Sequence, residues 1–463
     1  MISPQQLFGD LVGRATGEVI SVKSLVDVGM LRADPPWVLA RAGAAIARYG
    51  AIGAALGIAA ARFGDRIGVR DERGDLTYAE LDRRSNAIAN QWRDLGLRPG
   101  DGVALLIRNH RGFLESFYAA AKCGARIVLL NTDFAGPQIR EVSAREGVDL
   151  FVHDEEYSPV LDGLSPRLGR ILAWTDVPCD GSLDALIATG STAAPPRVGQ
   201  HAKVVILTSG TTGTPKGAQR EEPLSLLPLG GLFDKVPFRS GDVVEVCAPM
   251  FHALGFAMGM LAVALGDTLV LRRRFDPAAV ARSLHENRVD TMIVVPVMLR
   301  RIIEEPAAAG APNLRIVFSS GSALGADLCV RATEVLGPVI YNLYGSTEVA
   351  YATIGTPADL ARDPGSVGSP CLGTVVRILD DDGREVPAGS TGRIFVRNVM
   401  PFSGYSQDDY AQALVDAYRQ AGVPASEVRP QSFQLRDILY WLKAAPDFGR
   451  QALWLDNRDE TDP

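Results

Sequence analysis

Thr208-Ser209-Gly210-Thr211-Thr212-Gly213-Thr214-Pro215-Lys216-Gly217 combines hydroxyls, glycines and a lysine directly after an apolar run. Glycine lets backbone N–H groups converge on an anion, hydroxyls donate further hydrogen bonds, and Lys216 adds a cation. That chemistry suits phosphate. The glycine and lysine spacing is not that of a Walker loop. A glycine-rich turn alone more often serves only the path of the chain, but this density of Thr, Ser and Lys turns the reading toward phosphate.

Two later stretches carry further chemistry. Tyr341-Asn342-Leu343-Tyr344-Gly345-Ser346-Thr347-Glu348 offers an aromatic face for a purine and a carboxylate for a hard divalent cation. Taken by itself, it reads equally as a β-turn with a helix cap. Pro249-Met250-Phe251-His252-Ala253-Leu254-Gly255-Phe256 places one histidine among apolar residues, where a hydrogen-bonded core histidine is the commoner outcome. The run onward to Gly266 holds Gly255, Ala257, Gly259, Ala262 and Ala264. Small residues on a helix leave room for a long apolar chain, or else mark a tightly packed helix pair. His110, His153, His201 and His285 have no metal-site spacing, and Ser209 lacks a Gly-x-Ser-x-Gly setting for hydrolysis.

The elements that must hold these residues belong to an α/β chain. Its 463 residues exceed one compact core. The net charge of -7 argues against a broad basic surface for nucleic acid, so any phosphate site is local. Five scattered cysteines without Cys-x-x-Cys spacing argue against disulfides and zinc and fit a reducing cytoplasm. Trp37 to Phe63 predicts a helix whose uncharged part, Tyr49 to Ala61, is too short to span a bilayer. Arg41, Arg48 and Arg62 stand at multiples of seven and so near one helix face. The favoured expectation is a helix packed on the domain with its arginines in water; peripheral contact with the inner membrane is the other.

Strand-like runs alternate with helical patterns from about Ile67 to Leu336, predicting two α/β layers of mixed, mainly parallel sheets. Thr77-Tyr78-Ala79-Glu80 is a capping box opening a helix, followed by a strand over Val103 to Ile107, a helix around Phe113 to Lys122 and a strand at Arg126 to Leu130. Ala193 to Arg197 reads as a linker before the strand Lys203 to Leu207. Beyond Gly365 short strands predict a small β subdomain. The expected division is a helical extension over 1–62, α/β subdomains over 63–197 and 198–364, an incomplete β subdomain over 365–406 and a helical tail over 407–463.

The Thr208 to Gly217 segment closely resembles the phosphate loop of the adenylate-forming family, which includes acyl-CoA synthetases, luciferases and peptide-synthetase adenylation domains. Tyr341 to Glu348 and Gly365-Ser366-Val367-Gly368-Ser369-Pro370 resemble the next two family motifs in the same order. The resemblance implies the large N-terminal domain of that fold. It also implies ATP or AMP as ligand, Mg2+, coenzyme A as co-substrate and a small carboxylate, a fatty acid, as substrate. Tyr344 would stack on adenine, with Asn342, Gly321, Ser322 and Ala323 at its edge and Gly345 and Ser346 beside it. Ser209, Gly210, Thr211, Thr212, Gly213, Thr214 and Lys216 would hold phosphates. Thr347 would contact the α-phosphate, Glu348 and Thr208 would hold magnesium, and His252, Gly255 and Phe256 would line the acid pocket. Thr208, Lys216, Thr347 and Glu348 would carry the catalysis.

The resemblance runs from about Phe63 to Tyr405. After Tyr405 the Thr-Gly-Asp motif, the hinge arginine and the C-terminal lysine domain of the family are not found, so an impaired ligase is expected. Two alternatives stay open: a pseudoenzyme that binds nucleotide or acyl ligand, and an aryl- or amino-acid adenylating domain. The tail segment from Pro430-Gln431-Ser432-Phe433 to Ile438-Leu439-Tyr440-Trp441-Leu442-Lys443 resembles a late piece of bacterial glycerophosphodiester phosphodiesterases. No phosphodiesterase activity is expected, because one or two helices cannot close a barrel.

Overall fold

The structure, a computed structural model, describes residues 4–208, 216–220, 225–346, 349–380, 383–398, 402–405, 408–432 and 435–454. Local signals start its helices where expected. Thr77 Oγ1 accepts the Glu80 N–H at 3.2 Å and opens the helix Tyr78–Asp94. Asp276 caps Pro277–Glu286 through the Ala278 and Ala279 N–H groups, with Pro277 in the first turn.

Two large mixed, mainly parallel sheets form the body. In the nine-stranded sheet, Ile340–Tyr344, Ile316–Ser319, Thr291–Val294, Val243–Val246, Thr268–Val270 and Ile67–Asp71 lie side by side and parallel. Antiparallel strands finish both edges. In the seven-stranded sheet, Lys203–Thr208, Arg126–Leu129, Gly102–Leu106, Val148–Asp154 and Arg170–Trp174 are parallel. Lys216–Arg220 and Phe402–Tyr405 extend it antiparallel.

Strand alternation builds the layers. Val103 and Leu105 face one core and Ala104 and Leu106 another, as a period of two requires. The first core also takes Val69, Val244, Leu269, Ile293 and Ile316 from the nine-stranded sheet, so the two sheets share it. Between them lie Tyr78–Asp94 and Arg111–Lys122, the latter buried at every residue. Outer helices such as Pro277–Glu286 and Ala326–Leu336 cover the far side of the larger sheet.

The expected boundary between 197 and 198 does not separate these sheets. Ile67–Asp71 and Gly74–Thr77 pair into the nine-stranded sheet, whereas Lys203–Thr208 and Lys216–Arg220 pair into the seven-stranded one. Parallel pairing joins strands distant in sequence, and a linear pattern of apolar runs does not encode that choice of partner. Similarly, the small β unit proper is the hairpin of Thr374–Leu379 and Arg393–Asn398; Ser369–Pro370 and Phe402–Tyr405 join the large sheets.

The N-terminal helix also departs from expectation. Pro36–Phe63 is broken at Gly50, whose φ of 75° and ψ of 178° are not helical. The break ends the seven-residue register, so Arg62 leaves the face of Arg41 and Arg48. It pairs instead with Asp34 and donates to Met30 O at 3.1 Å. In the tail, Asp408–Gln420 and Leu435–Ala444 build a separate cluster around buried Trp441, whose Nε1 donates to Ala411 O at 2.8 Å.

Candidate functional site

Parallel strands end in loops on one edge, and in open α/β sheets that edge is where ligands bind. Here Ile316–Ser319 and Ile340–Tyr344 are neighbours, with Ser319 opposite Asn342. This register brings the loop Gly321, Ser322, Ala323 beside Tyr344. Ser320 Oγ donates to Leu343 O at 3.0 Å and ties the two strand ends together. Gly321 has φ of +92°, a conformation that L side chains rarely adopt. All three loop residues are exposed, and so is the Tyr344 ring at 39%.

Asn342 is buried and donates from Nδ2 to Ser366 O at 3.2 Å. Thr353 Oγ1 donates to Val367 O at 2.6 Å. The Tyr341 and Gly365 segments therefore meet in space. Gly345 fits only as glycine, because a Cβ there would lie 2.2 Å from Ala350 O. Ser346 Oγ accepts the Val349 N–H at 3.4 Å. Ser319 Oγ is buried without a partner among the described residues and was not singled out from sequence. A buried polar atom of that kind is a place for a ligand or water to bind.

Thr208 and Lys216 face each other across an antiparallel pair, so residues 209–215 join two adjacent strand ends at the carboxyl edge of the smaller sheet. Ser209, Gly210, Thr211, Thr212, Gly213 and Thr214, like Thr347 and Glu348, lie outside the described residues. The far end of the strand that begins at Lys216 is linked through the chain to the segment after Tyr344. Asn398 donates to Val349 O and Tyr351 O, and four residues later Phe402 pairs with Arg220. Four residues span at most about 14 Å.

His252 is the N-cap residue of Ala253–Leu265 and stands exposed, its ring 4.5 Å from that of Phe251. Desolvation by the surrounding protein lowers its pKa, against the pull of Asp133. A helix N-terminus also disfavours a cation, so the imidazole is presented neutral. It follows Val243–Val246, three strands from Ile340–Tyr344. At a strand spacing of about 4.8 Å the two lie roughly 14 Å apart along the edge, enough for an extended nucleotide joined to an acid.

Two glycines of this helix are closely packed. A Cβ on Gly255 would lie 2.3 Å from Pro249 O, and one on Gly259 would lie 2.9 Å from Met250 Cε. The helix is packed against its own approach segment. Phe256 packs edge-on to buried Phe117 with ring centroids 5.1 Å apart.

Sequence reasoning passed over Asn109 and found only that His110 has no metal-site spacing. Asn109 is buried between the sheets, donating to Val246 O and Ala248 O and accepting from Met250 N. His110 caps Arg111–Lys122 by accepting the Gly112 N–H at Nδ1, which leaves Nε2 to donate to Asp154 at 2.8 Å. The one signal for either was a polar pair directly after a buried strand.

A family model described as AMP-binding enzyme matches residues 57–406, three quarters of the chain. The chain belongs to that family. Feruloyl-CoA synthase of an Amycolatopsis species is 33% identical over 353 residues, covering 75% of this chain and 70% of the relative. Indoleacetate–CoA ligase of Aromatoleum aromaticum is 30% identical over 360 residues, covering 76% and 70%. Among solved structures, the N-terminal domain of FACL13 from Mycobacterium tuberculosis matches with a TM-score of 0.67 at 25% identity, covering 80% of this chain and 93% of that one. An anthranilate CoA ligase in complex with anthranoyl-AMP matches with a TM-score of 0.68 at 22% identity, covering 77% and 72%, and supports the fold. By family the protein is an ATP-dependent, AMP-forming acid–thiol ligase, and ligases of this family use ATP and coenzyme A on small carboxylates.

Proposed function

We propose that the chain activates an apolar carboxylate. The acid oxygen attacks the α-phosphorus of ATP, the bond to the β-phosphate breaks and pyrophosphate leaves; the coenzyme A sulfur then attacks the acyl carbon and AMP leaves. The observation that carries this reading is the Ser319–Asn342 register, which sets an exposed aromatic ring beside a glycine-bearing loop. Tyr344 stacks on the purine, and Gly321, Ser322, Ala323 and Asn342 approach its edge. Ser209, Gly210, Thr211, Thr212, Gly213, Thr214 and Lys216 take the triphosphate, Thr347 takes the α-phosphate, and Gly345 and Ser346 shape the turn between. Mg2+, held by Glu348 and Thr208, would neutralise phosphate charge when bound. Neutral His252 borders the acid without pairing its carboxylate too tightly for reaction.

For the acid itself, the fatty acid expected from sequence competes with a flat aryl acid. The filled Cβ positions at Gly255 and Gly259 favour the aryl acid, since neither glycine leaves a channel. Acid-dependent exchange of labelled pyrophosphate into ATP tests both points, with ferulate, indoleacetate and fatty acids of graded length compared. Exchange with the aryl acids that Tyr344→Ala suppresses supports the reading. Nucleotide-induced thermal shifts without exchange under any acid would identify a binder instead.

A further inference from the structure

The family match begins at residue 57, so the first turns of Pro36–Phe63 are an addition outside it. Gly50 divides this helix into two parts with different surroundings. The second part is packed: Gly53, Ala54, Leu56, Ala59 and Phe63 are buried. The break is pinned by Tyr49, whose hydroxyl donates to Pro195 O, and by the Val198 N–H donating to Arg48 O at 3.2 Å. Residues 36–49 run out from it with one side buried at Val38 and Tyr49 and with Trp37 54%, Leu39 56% and Ile46 46% exposed on the others.

This projecting part is polarised. Arg41 and Arg48, seven residues apart, lie on one flank; Leu39 and Ile46, also seven apart, lie on the other, with alanine and glycine facing outward between them. Arg41 lies over the Trp37 ring at 5.3 Å. Neither arginine has an acidic partner among the described residues, and no Asp or Glu occurs between Asp34 and Asp65. Asp82, which lines the same cavity as both arginines, is occupied by the Lys122 ammonium at 2.6 Å. A chain of net charge -7 thus carries one apolar, purely cationic protrusion.

Pro36–Phe63 is long and apolar enough by composition to cross a membrane, but its packed second part cannot leave the core. The projecting residues reach only about 21 Å, short of a bilayer core of about 30 Å. They suit a helix lying in the headgroup plane, with its apolar side inserted, its tryptophan at the interface and its arginines on phosphate. We infer that residues 36–49 dock the protein on an anionic phospholipid surface, Leu39 and Ile46 entering the acyl boundary and Arg41 and Arg48, with Trp37 beside them, contacting headgroups.

Flotation of the full chain with vesicles of phosphatidylcholine alone, or mixed with phosphatidylserine, tests this. The chain floats with the mixed vesicles only, and added salt releases it. Arg41→Gln and Arg48→Gln each weaken binding about fivefold, since each basic residue near such a surface contributes about that factor. Leu39→Ser with Ile46→Ser removes binding and leaves the melting temperature unchanged, because both side chains are exposed. Equal flotation with neutral vesicles, or none with either, overturns the inference. So does an assembly that Leu39→Ser with Ile46→Ser dissociates without any vesicle binding, which would give this face to a second copy of the chain.

Discussion

Asn109 and Met250 hold the two sheets in fixed relation. Asn109 Oδ1 accepts the Met250 N–H at 2.8 Å, while Nδ2 donates to Val246 O and Ala248 O at 3.1 and 2.9 Å. One buried side chain from the end of the smaller sheet therefore fixes the segment that leads to His252. Asn109→Ala strands a buried N–H and two carbonyls, at a cost of about 2–3 kcal/mol. The urea midpoint should fall with the slope unchanged. Because His252 is two residues past Met250, the KM for the acid should rise in the folded enzyme. A midpoint equal to that of the parent would show that the clamp bears no load.

Gly321 and Gly310 allow strain to be separated from ligand contact. Both have positive φ, +92° and +69°, but Gly310 has open space where a Cβ would go and lies away from the strand ends of the site. Alanine at either should cost about 1–2 kcal/mol through the left-handed backbone. Only Gly321→Ala, whose Cβ would also lie 3.3 Å from Val295 Cγ1, should weaken AMP binding by calorimetry. Equal affinities in the two variants would remove the Gly321 loop from the nucleotide site.

His153 sets an acid limb on stability. It is buried in Val148–Asp154, and burial lowers its pKa despite the hydrogen bond from Nδ1 to Asp154 O at 2.9 Å. The unfolded chain takes a proton near the ordinary value of about 6.5, and the native chain takes it only at lower pH. Below the ordinary value the unfolded state binds more protons, so stability falls with pH and levels off beneath the native pKa. His153→Gln should flatten this part of the urea-midpoint profile and leave the neutral side unchanged. An identical profile in parent and variant would mean that His153 charges as readily when folded as when unfolded.

The local features of this fold were readable because they depend on neighbours in sequence. Thr77 announces its helix, and the runs at Val103 and Lys203 become the strands Gly102–Leu106 and Lys203–Thr208. What was not readable depends on distant partners. Ile67–Asp71 chooses Thr268–Val270 some two hundred residues on, and His110 finds Asp154 at the end of the neighbouring strand. Gly50 looked like one more small residue in a helix, because nothing in its neighbours shows that Tyr49 will bond to Pro195. For the site, the Tyr341 to Glu348 motif was visible as chemistry, yet Ser319, Ser320 and Asn109 gain their meaning only from the strand ends they face.

Gly255 and Gly259 test the proposal that the helix Ala253–Leu265 borders the acid. An alanine Cβ at Gly255 would press on two backbone oxygens, Pro249 O at 2.3 Å and Ala248 O at 2.6 Å, which cannot turn aside. At Gly259 it would meet the end of Met250, a flexible thioether that can. Packing therefore predicts that Gly255→Ala loses about 1–3 kcal/mol by overpacking and Gly259→Ala loses less. The order of preference among acids should be unchanged in both. If the glycines instead lined an acyl channel, each alanine would shorten the longest acid accepted and leave stability intact. Thermal melts combined with pyrophosphate exchange over graded fatty acids distinguish the two outcomes, and a shortened acid profile at normal stability would restore the fatty acid reading.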